Sequence, residues 1–260
     1  MAALQAIAII PARYGSTRFP AKPLARETGK YLVQHVYEAV RASKLVERVI
    51  VATDDERIVS AAKEFGAEVA LTPPDCPSGT DRCAQVAARL RCDLVLNVQG
   101  DEPEMDPRNV DALVRLMESE ARAGPRGAPM GTLAVEVDTG KPEGLAEFRS
   151  SHVVKVVTAA NGRALYFSRS PIPFDRGRGG VPPRFKKHLG IYAYFREFLA
   201  ALPALFGEVS PLERAESLEQ LRVLEAGHAI AVGNAASDCS GIDTPEQYAA
   251  FVARWRLRHG

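Results

Sequence analysis

The chain has 260 residues, 46% hydrophobic and 25% charged, and its 33 Lys and Arg against 32 Asp and Glu leave a formal net charge of +1. That balance excludes a nucleic-acid coat protein, and the apolar fraction supports a substantial core, which excludes global disorder. Four cysteines, Cys76, Cys83, Cys92 and Cys239, form neither a CxxC pair nor a dense disulfide framework, so a reducing, cytoplasmic setting is expected.

In chain order, residues 6–10 (AIAII) read as a buried first strand. No basic stretch precedes it, and it falls far short of the roughly 20 apolar residues that cross a bilayer, so neither a signal peptide nor membrane insertion is expected. The polar loop RYGSTRFPAKPL follows, then a helical pattern at 31–43, a strand at 48–52, and a helix over IVSAAKEFG stopped at Gly66. A strand at 68–72, a helix over TDRCAQVAARL and a strand at 93–98 complete the first half. This repeated strand, loop, helix order predicts an α/β fold with a mostly parallel sheet flanked by helices. Ligands then belong at the carboxyl ends of the strands, where loops 11–22, 78–82 and 99–103 fall.

After a helix opened by Pro107, residues 123–131 form a turn-rich junction. TLAVEV, HVVKVV, RALYF and HLGIYAYF are four more strand candidates, and DRGRGGVPPRFKK at 175–187 reads as a basic loop. Two helix starts are sharply marked. Ser210-Pro211-Leu212-Glu213 leads into one helix through LERAESLEQLRVLEAG, and Thr244-Pro245-Glu246-Gln247 leads into YAAFVARW with Asp243 just outside it.

The loop after the first strand carries Arg13, Gly15, Ser16, Thr17, Arg18 and Lys22. Guanidinium forks, an ammonium and small donors suit a polyphosphate; the alternative is a solvated basic loop. The loop matches neither GxxxxGK[ST] nor GxGxxG, which argues against a Walker ATPase and a nicotinamide or flavin oxidoreductase. Ser78 in SGTDR can face a base or ribose, or cap a helix. In NVQGDEP, Gln99 and Gly100 end a strand, and Asp101 is a metal or phosphate-site residue or else a turn carboxylate. Asp243 is a second carboxylate for Mg²⁺ or a complement to the following helix dipole.

Arg169 at a strand end and His188 on a strand edge beside Lys186 and Lys187 could recognise an acidic sugar, or serve the surface. Glu219 and Gln220, in the helix begun near Pro211, could orient hydroxyls or cover its polar face. Phe167, Tyr192 and Tyr194 read as core or pocket walls, and His35 and His228 as structural. A nucleophilic enzyme is disfavoured by the absence of GxSxG and the scatter of the five histidines. A noncatalytic nucleotide sensor would not need both Asp101 and Asp243.

In order, IIPARYGSTRFPAKPL, VIVATDD, SGTDR, VLNVQGDEP, ALYFSR, HLGIYAYF, SPLERAESLEQLRVLEAG and GIDTPEQ resemble the 3-deoxy-manno-octulosonate (Kdo) cytidylyltransferases, the CMP-Kdo synthetases, over nearly the whole chain. The resemblance implies a Rossmann-like nucleotidyltransferase fold with a mixed, mostly parallel central sheet and a smaller central substrate and dimerisation subregion, all within a single domain, 1–260. It implies Mg²⁺-dependent transfer of CMP from CTP to the anomeric hydroxyl of Kdo, in lipopolysaccharide biosynthesis, by a cytoplasmic homodimer with no nucleic-acid partner. Carried over by similarity, Arg13, Ser16, Arg18 and Lys22 contact the triphosphate, with Arg13, Lys22, Asp101 and Asp243 counted as catalytic. Asp101 and Asp243 hold the metal, Ser78 and Gln99 place cytidine and sugar, and Arg169, His188, Glu219 and Gln220 recognise Kdo. Ala21 stands where many members use glycine. A nucleotidyltransferase that activates sialic acid is the nearest alternative.

Overall fold

The structure, a computed structural model, describes residues 3–15, 19–205, 210–239 and 241–259. Two compact units are present, Met1–Asp111 with Cys239–Gly260, and Ala112–Asp238.

The first unit runs β1 (Ala6–Pro11), α1 (Leu32–Arg41), β2 (Arg48–Thr53), α2 (Glu56–Glu64), β3 (Glu68–Leu71), α3 (Gly79–Ala87), β4 (Leu94–Val98) and the start of α4 (Pro107–Arg122). The strands lie in the order β3-β2-β1-β4, every pair parallel. Residues 6 to 10 are all buried, so β1 has no solvent face and needs cover on both sides. Helices α1, α2 and α3 pack on these strands. Local chemistry sets their ends. The Asp55 carboxylate accepts from the Arg57 amide at 2.9 Å to cap α2, and Gly66, with φ 74°, takes the left-handed turn that stops it.

The second unit holds β5 (Met130–Asp138), α5 (Pro142–Arg149), β6 (Lys155–Thr158), β7 (Ala164–Ser168), β8 (Arg184–Phe195), α6 (Arg196–Leu205), α7 (Pro211–Glu216), α8 (Leu221–Glu225) and β9 (Ile230–Asn234). Strand β5 pairs antiparallel with β8 and parallel with β9, while β6 pairs antiparallel with β7 and β8. The α/β expectation holds, with parallel pairing throughout the first unit's sheet and a mixed pattern in the second.

Lys155 is fully buried in β6, and its ammonium donates to the carbonyls of Ser150, Val153 and Arg169 at 2.8, 2.7 and 2.5 Å. Burial lowers its pKa to about 8. Those three bonds tie the turn before β6 to the end of β7.

Three expectations are corrected. The basic loop of 175–187 ends early, because β8 starts at Arg184: Phe185 pairs with Val137 in the ladder, and the Lys187 ammonium is neutralised by Glu147 and Asp238, each at 2.8 Å. The single helix expected from Pro211 is broken at Ser217, which has φ 53°. His188 is not on a strand edge, since it pairs with Ala134 of β5 while its amide donates to the Val154 carbonyl on the other side.

The chain re-enters the first unit with α9 (Pro245–His259). Tyr248, Phe251 and Val252 of α9 pack with Leu32 of α1 and with Ile242, flanked by Phe19, Ala25 and Trp255. Among the described residues, no helix is long and apolar enough to cross a membrane. All four cysteines are free.

Phe251 is 1% exposed and meets the His35 ring edge-on at 5.1 Å, so truncation leaves a cavity under α9. Phe251→Ala is expected to lower unfolding stability by about 3–5 kcal/mol, measured by urea titration.

Candidate active site

Strands β1 and β4 are hydrogen-bonded neighbours that end side by side, so the loops leaving them start together. Gly100 makes this possible: a Cβ there would lie 2.9 Å from the Pro11 carbonyl oxygen. The chain leaving β1 turns back on itself, with the Ala21 amide donating to the Tyr14 carbonyl at 3.2 Å. Ala21 itself sits at φ 56°, a left-handed conformation that costs a non-glycine residue about 1 kcal/mol. That kink starts the short helical turn Lys22–Leu24.

The Lys22 ammonium lies 2.6 Å from Asp101 Oδ2, 2.6 Å from the Ile242 carbonyl and 3.7 Å from Asp243 Oδ1. Three segments far apart in sequence therefore converge on one cation: the loop after β1, the turn after β4 and the lead-in to α9. The Asp101 carbonyl accepts from the Ile242 amide at 2.8 Å, and the core around Phe251 seats Ile242. Asp243 lies one residue before the capping Thr244. Its amide, with that of Thr244, donates to Gln247 Oε1 at 2.6 and 3.1 Å, while the Thr244 hydroxyl accepts from the Gln247 amide. Its side chain is 47% exposed.

Two carboxylates against one ammonium leave one net negative charge. Among the described residues there is no cluster of three or more His, Cys, Asp or Glu suited to a metal. Two carboxylates and a carbonyl nevertheless fit Mg²⁺, which uses one or two protein carboxylates and completes its shell with water and phosphate oxygens.

Around this centre, Ser78 caps α3, its hydroxyl accepting from the Asp81 amide at 3.1 Å. Gln99 Nε2 donates to Asn97 Oδ1 at 3.0 Å, and a Cβ on Gly79 would meet the Pro11 ring at 3.3 Å and Gln99 Oε1 at 3.8 Å. Ser78 and Gln99 thus border the same strand end. Arg13 is exposed. Ser16 and Arg18 lie outside the described residues.

Two further arginines are fixed in the first unit, one of them against the loop. The Arg57 guanidinium stacks 3.3 Å from the Tyr14 ring centroid and is held by both oxygens of Asp55. Buried Arg82 pairs with Asp54 at 3.2 Å and donates to the Thr72 hydroxyl. These arginines follow the DD and SGTD strings closely, a signal masked because helix starts carry such charges routinely.

The second unit gathers the other named residues. The His188 ring is 5.0 Å from Phe167 and 5.4 Å from Tyr192, and the Tyr192 hydroxyl donates to Gln220 Oε1 at 3.1 Å. Gln220 is 2% exposed, so it does not cover a polar helix face, and its Nε2 has no hydrogen-bond partner among the described residues. Thr132 donates its one hydroxyl proton to the Ile191 carbonyl at 2.7 Å; at 3.0 Å from His188 Nε2 it must therefore accept, which puts the imidazole proton on Nε2. Arg169 donates from its side chain to the carbonyls of Glu216, Ser151 and Ser217 at 2.6, 3.1 and 3.4 Å. The bonds to Glu216 and Ser217 satisfy the end of α7 and fix the turn that carries Glu219, which is half-buried, into Gln220. Phe167, Tyr192 and Tyr194 are buried.

Burial lowers the His188 pKa from 6.5 to about 3, so its ring is neutral at pH 7. The unfolded imidazole takes a proton below pH 6.5 while the folded one does not, so this contribution to stability is full above pH 6.5 and is lost as pH falls toward 3. His188→Gln keeps a polar partner for Thr132 and removes the titration. Between pH 7 and pH 4.5 its unfolding free energy, read by urea titration, is expected to fall by about 2 kcal/mol less than that of the parent chain.

Residues 7–230 match the family described as Cytidylyltransferase. A 3-deoxy-manno-octulosonate cytidylyltransferase from Solibacter usitatus is 46% identical over 240 residues, covering 92% of this chain and 90% of that protein. One from Syntrophotalea carbinolica is 44% identical over 256 residues, covering 96% and 98%. The solved structure of a CMP:2-keto-3-deoxy-manno-octonic acid synthetase complexed with CTP superposes with a TM-score of 0.87 at 40% identity, covering 98% of this chain and 99% of that one. With its parallel strand ends, its convergent acid–lysine centre and this likeness over nearly its full length, the chain belongs to the 3-deoxy-manno-octulosonate cytidylyltransferase family.

Proposed function

We propose that the chain transfers CMP from CTP to the anomeric hydroxyl of 3-deoxy-D-manno-octulosonate, giving CMP-Kdo and pyrophosphate for lipopolysaccharide biosynthesis. All 260 residues act as one cytidylyltransferase domain, in a cytoplasmic homodimer. The observation that carries this reading is the convergence of Lys22, Asp101 and Asp243 at the carboxyl ends of β1 and β4, in a chain with CMP-Kdo-forming relatives at 44–46% identity.

In this reaction the sugar oxygen attacks the α-phosphorus in line, the bond from that phosphorus to the bridging oxygen breaks, and pyrophosphate leaves. No covalent enzyme intermediate is needed, and the hydroxyl proton passes to solvent water or to the leaving pyrophosphate. Positioning and charge compensation supply the acceleration. Arg13, Ser16, Arg18 and Lys22 hold the triphosphate, the cationic groups facing the charge that moves onto the leaving pyrophosphate. Ser78 and Gln99 place the cytidine, and Gln99 also meets the sugar. Asp101 and Asp243 hold Mg²⁺, which when bound supplies countercharge to phosphate oxygens. On the sugar side, Gln220 has a spare buried amide donor, and neutral His188 contributes a hydrogen-bonding ring rather than a positive charge. Arg169 and Glu219 complete that set.

A product assay over CTP, other nucleoside triphosphates, Kdo and sialic acid tests the reading. CMP-Kdo and pyrophosphate should form with CTP, Kdo and Mg²⁺ together and with no other pairing. Asp101→Asn, shown folded by circular dichroism, should lose turnover on the order of 100-fold, the scale of removing one well-aimed electrostatic group. Parent-level turnover by that variant at saturating Mg²⁺ would sink the assigned metal role, and product from sialic acid alone would replace the substrate.

A further inference from the structure

We propose that Lys22 is the resident counter-cation of the Asp101–Asp243 pair and that a divalent cation binds by displacing its ammonium from between them. The proposal rests on the metal role assigned above to the two carboxylates. It goes beyond that role by giving one lysine two successive partners.

The ammonium occupies the convergence point of the oxygens a metal would use, with Asp101 Oδ2 and the Ile242 carbonyl both at 2.6 Å and Asp243 Oδ1 at 3.7 Å. Its side chain is only 13% exposed, so packing as well as its hydrogen bonds holds the lysine there. An ammonium and a divalent ion do not share the point, because their charges repel and the point between the two carboxylates holds one cation. Lys22 alone leaves the pair one charge negative, so the centre holds its shape and still attracts a stronger cation. Displaced, the ammonium is released beside the loop that bears Arg13, free to meet a phosphate oxygen. Metal arrival then delivers the lysine to the triphosphate, and the two binding events favour each other.

The test measures Mn²⁺ binding by calorimetry, without nucleotide, on the parent chain, Lys22→Met, Lys22→Gln and Asp101→Asn. The lysine variants should bind Mn²⁺ at least tenfold more tightly, melt at lower temperature without metal, and gain more from Mg²⁺ than the parent does. In the parent chain, the ¹⁵N signal of the Lys22 side chain should shift with added Mg²⁺ and saturate with the binding isotherm, a readout that needs no variant to fold. An unmoved Lys22 signal at saturating metal, or lysine variants that bind no tighter while Asp101→Asn loses binding, overturns the displacement and leaves the metal role standing. Equal binding by the parent and Asp101→Asn overturns both.

Discussion

The contact on which the first unit's chemistry depends is the Lys22 ammonium held between the Asp101 carboxylate and the Ile242 carbonyl, each at 2.6 Å. A parallel sheet brings strand ends together but leaves their loops to find their own partners. Here one cation joins a loop from β1, a turn from β4 and the lead-in to α9, which returns from the far end of the chain. The apolar cluster of Leu32, Ile242, Tyr248, Phe251 and Val252 supplies the hydrophobic drive, and the cation supplies direction. Like-charged carboxylates would repel if brought this close without it, so the lysine permits an acidic pair to be assembled in advance of any ligand.

The second unit solves a related problem with cations that satisfy backbone carbonyls, Lys155 fully buried and Arg169 half-buried. Lys155 gathers three carbonyls, and Arg169 gathers two at the end of α7 and that of Ser151 before β6. Buried Arg222 pairs with Glu213, joining α7 to α8 across the break. Between those helices, Gln220 is pressed against Tyr192 with no partner for its amide nitrogen among the described residues, and His188 is kept neutral by burial. A buried donor without a partner costs on the order of 1–3 kcal/mol, and a ligand oxygen there would recover that cost on binding.

The legible parts of the fold were those set by local pattern. Strands β1, β2 and β4 read from unbroken apolar runs, α1 from its spacing, and the helix starts at Ser210 and Thr244 from N-cap, proline and glutamate or glutamine. The misreadings share a cause in tertiary contacts. Nothing in LERAESLEQLRVLEAG signals a stop, because Ser217 is neither glycine nor proline; the stop is made by Arg169 satisfying the last carbonyls from 48 residues away. The basic RFKK string reads as loop, yet Lys187 is buried by two acids brought from α5 and from the residues after β9. Helix α6 follows β8 with no punctuation between Phe195 and Arg196, and the short apolar run of β9 ends in Gly233 and Asn234, residues that read as a turn. In the site, Asp101, Asp243 and Lys22 were legible as chemistry, and their meeting was legible only through the parallel-sheet rule. The Ile242 carbonyl, a backbone atom, had no signal at all.

The central claim is that the Lys22, Asp101 and Asp243 centre is where metal and triphosphate meet. Anomalous diffraction from crystals grown with Mn²⁺ and CTP tests it most directly. The account predicts a manganese peak bound by Asp101 and Asp243, with the Lys22 ammonium moved off the carboxylates and onto a phosphate oxygen. Manganese held elsewhere, with Lys22 still seated between the two aspartates beside bound CTP, would contradict it.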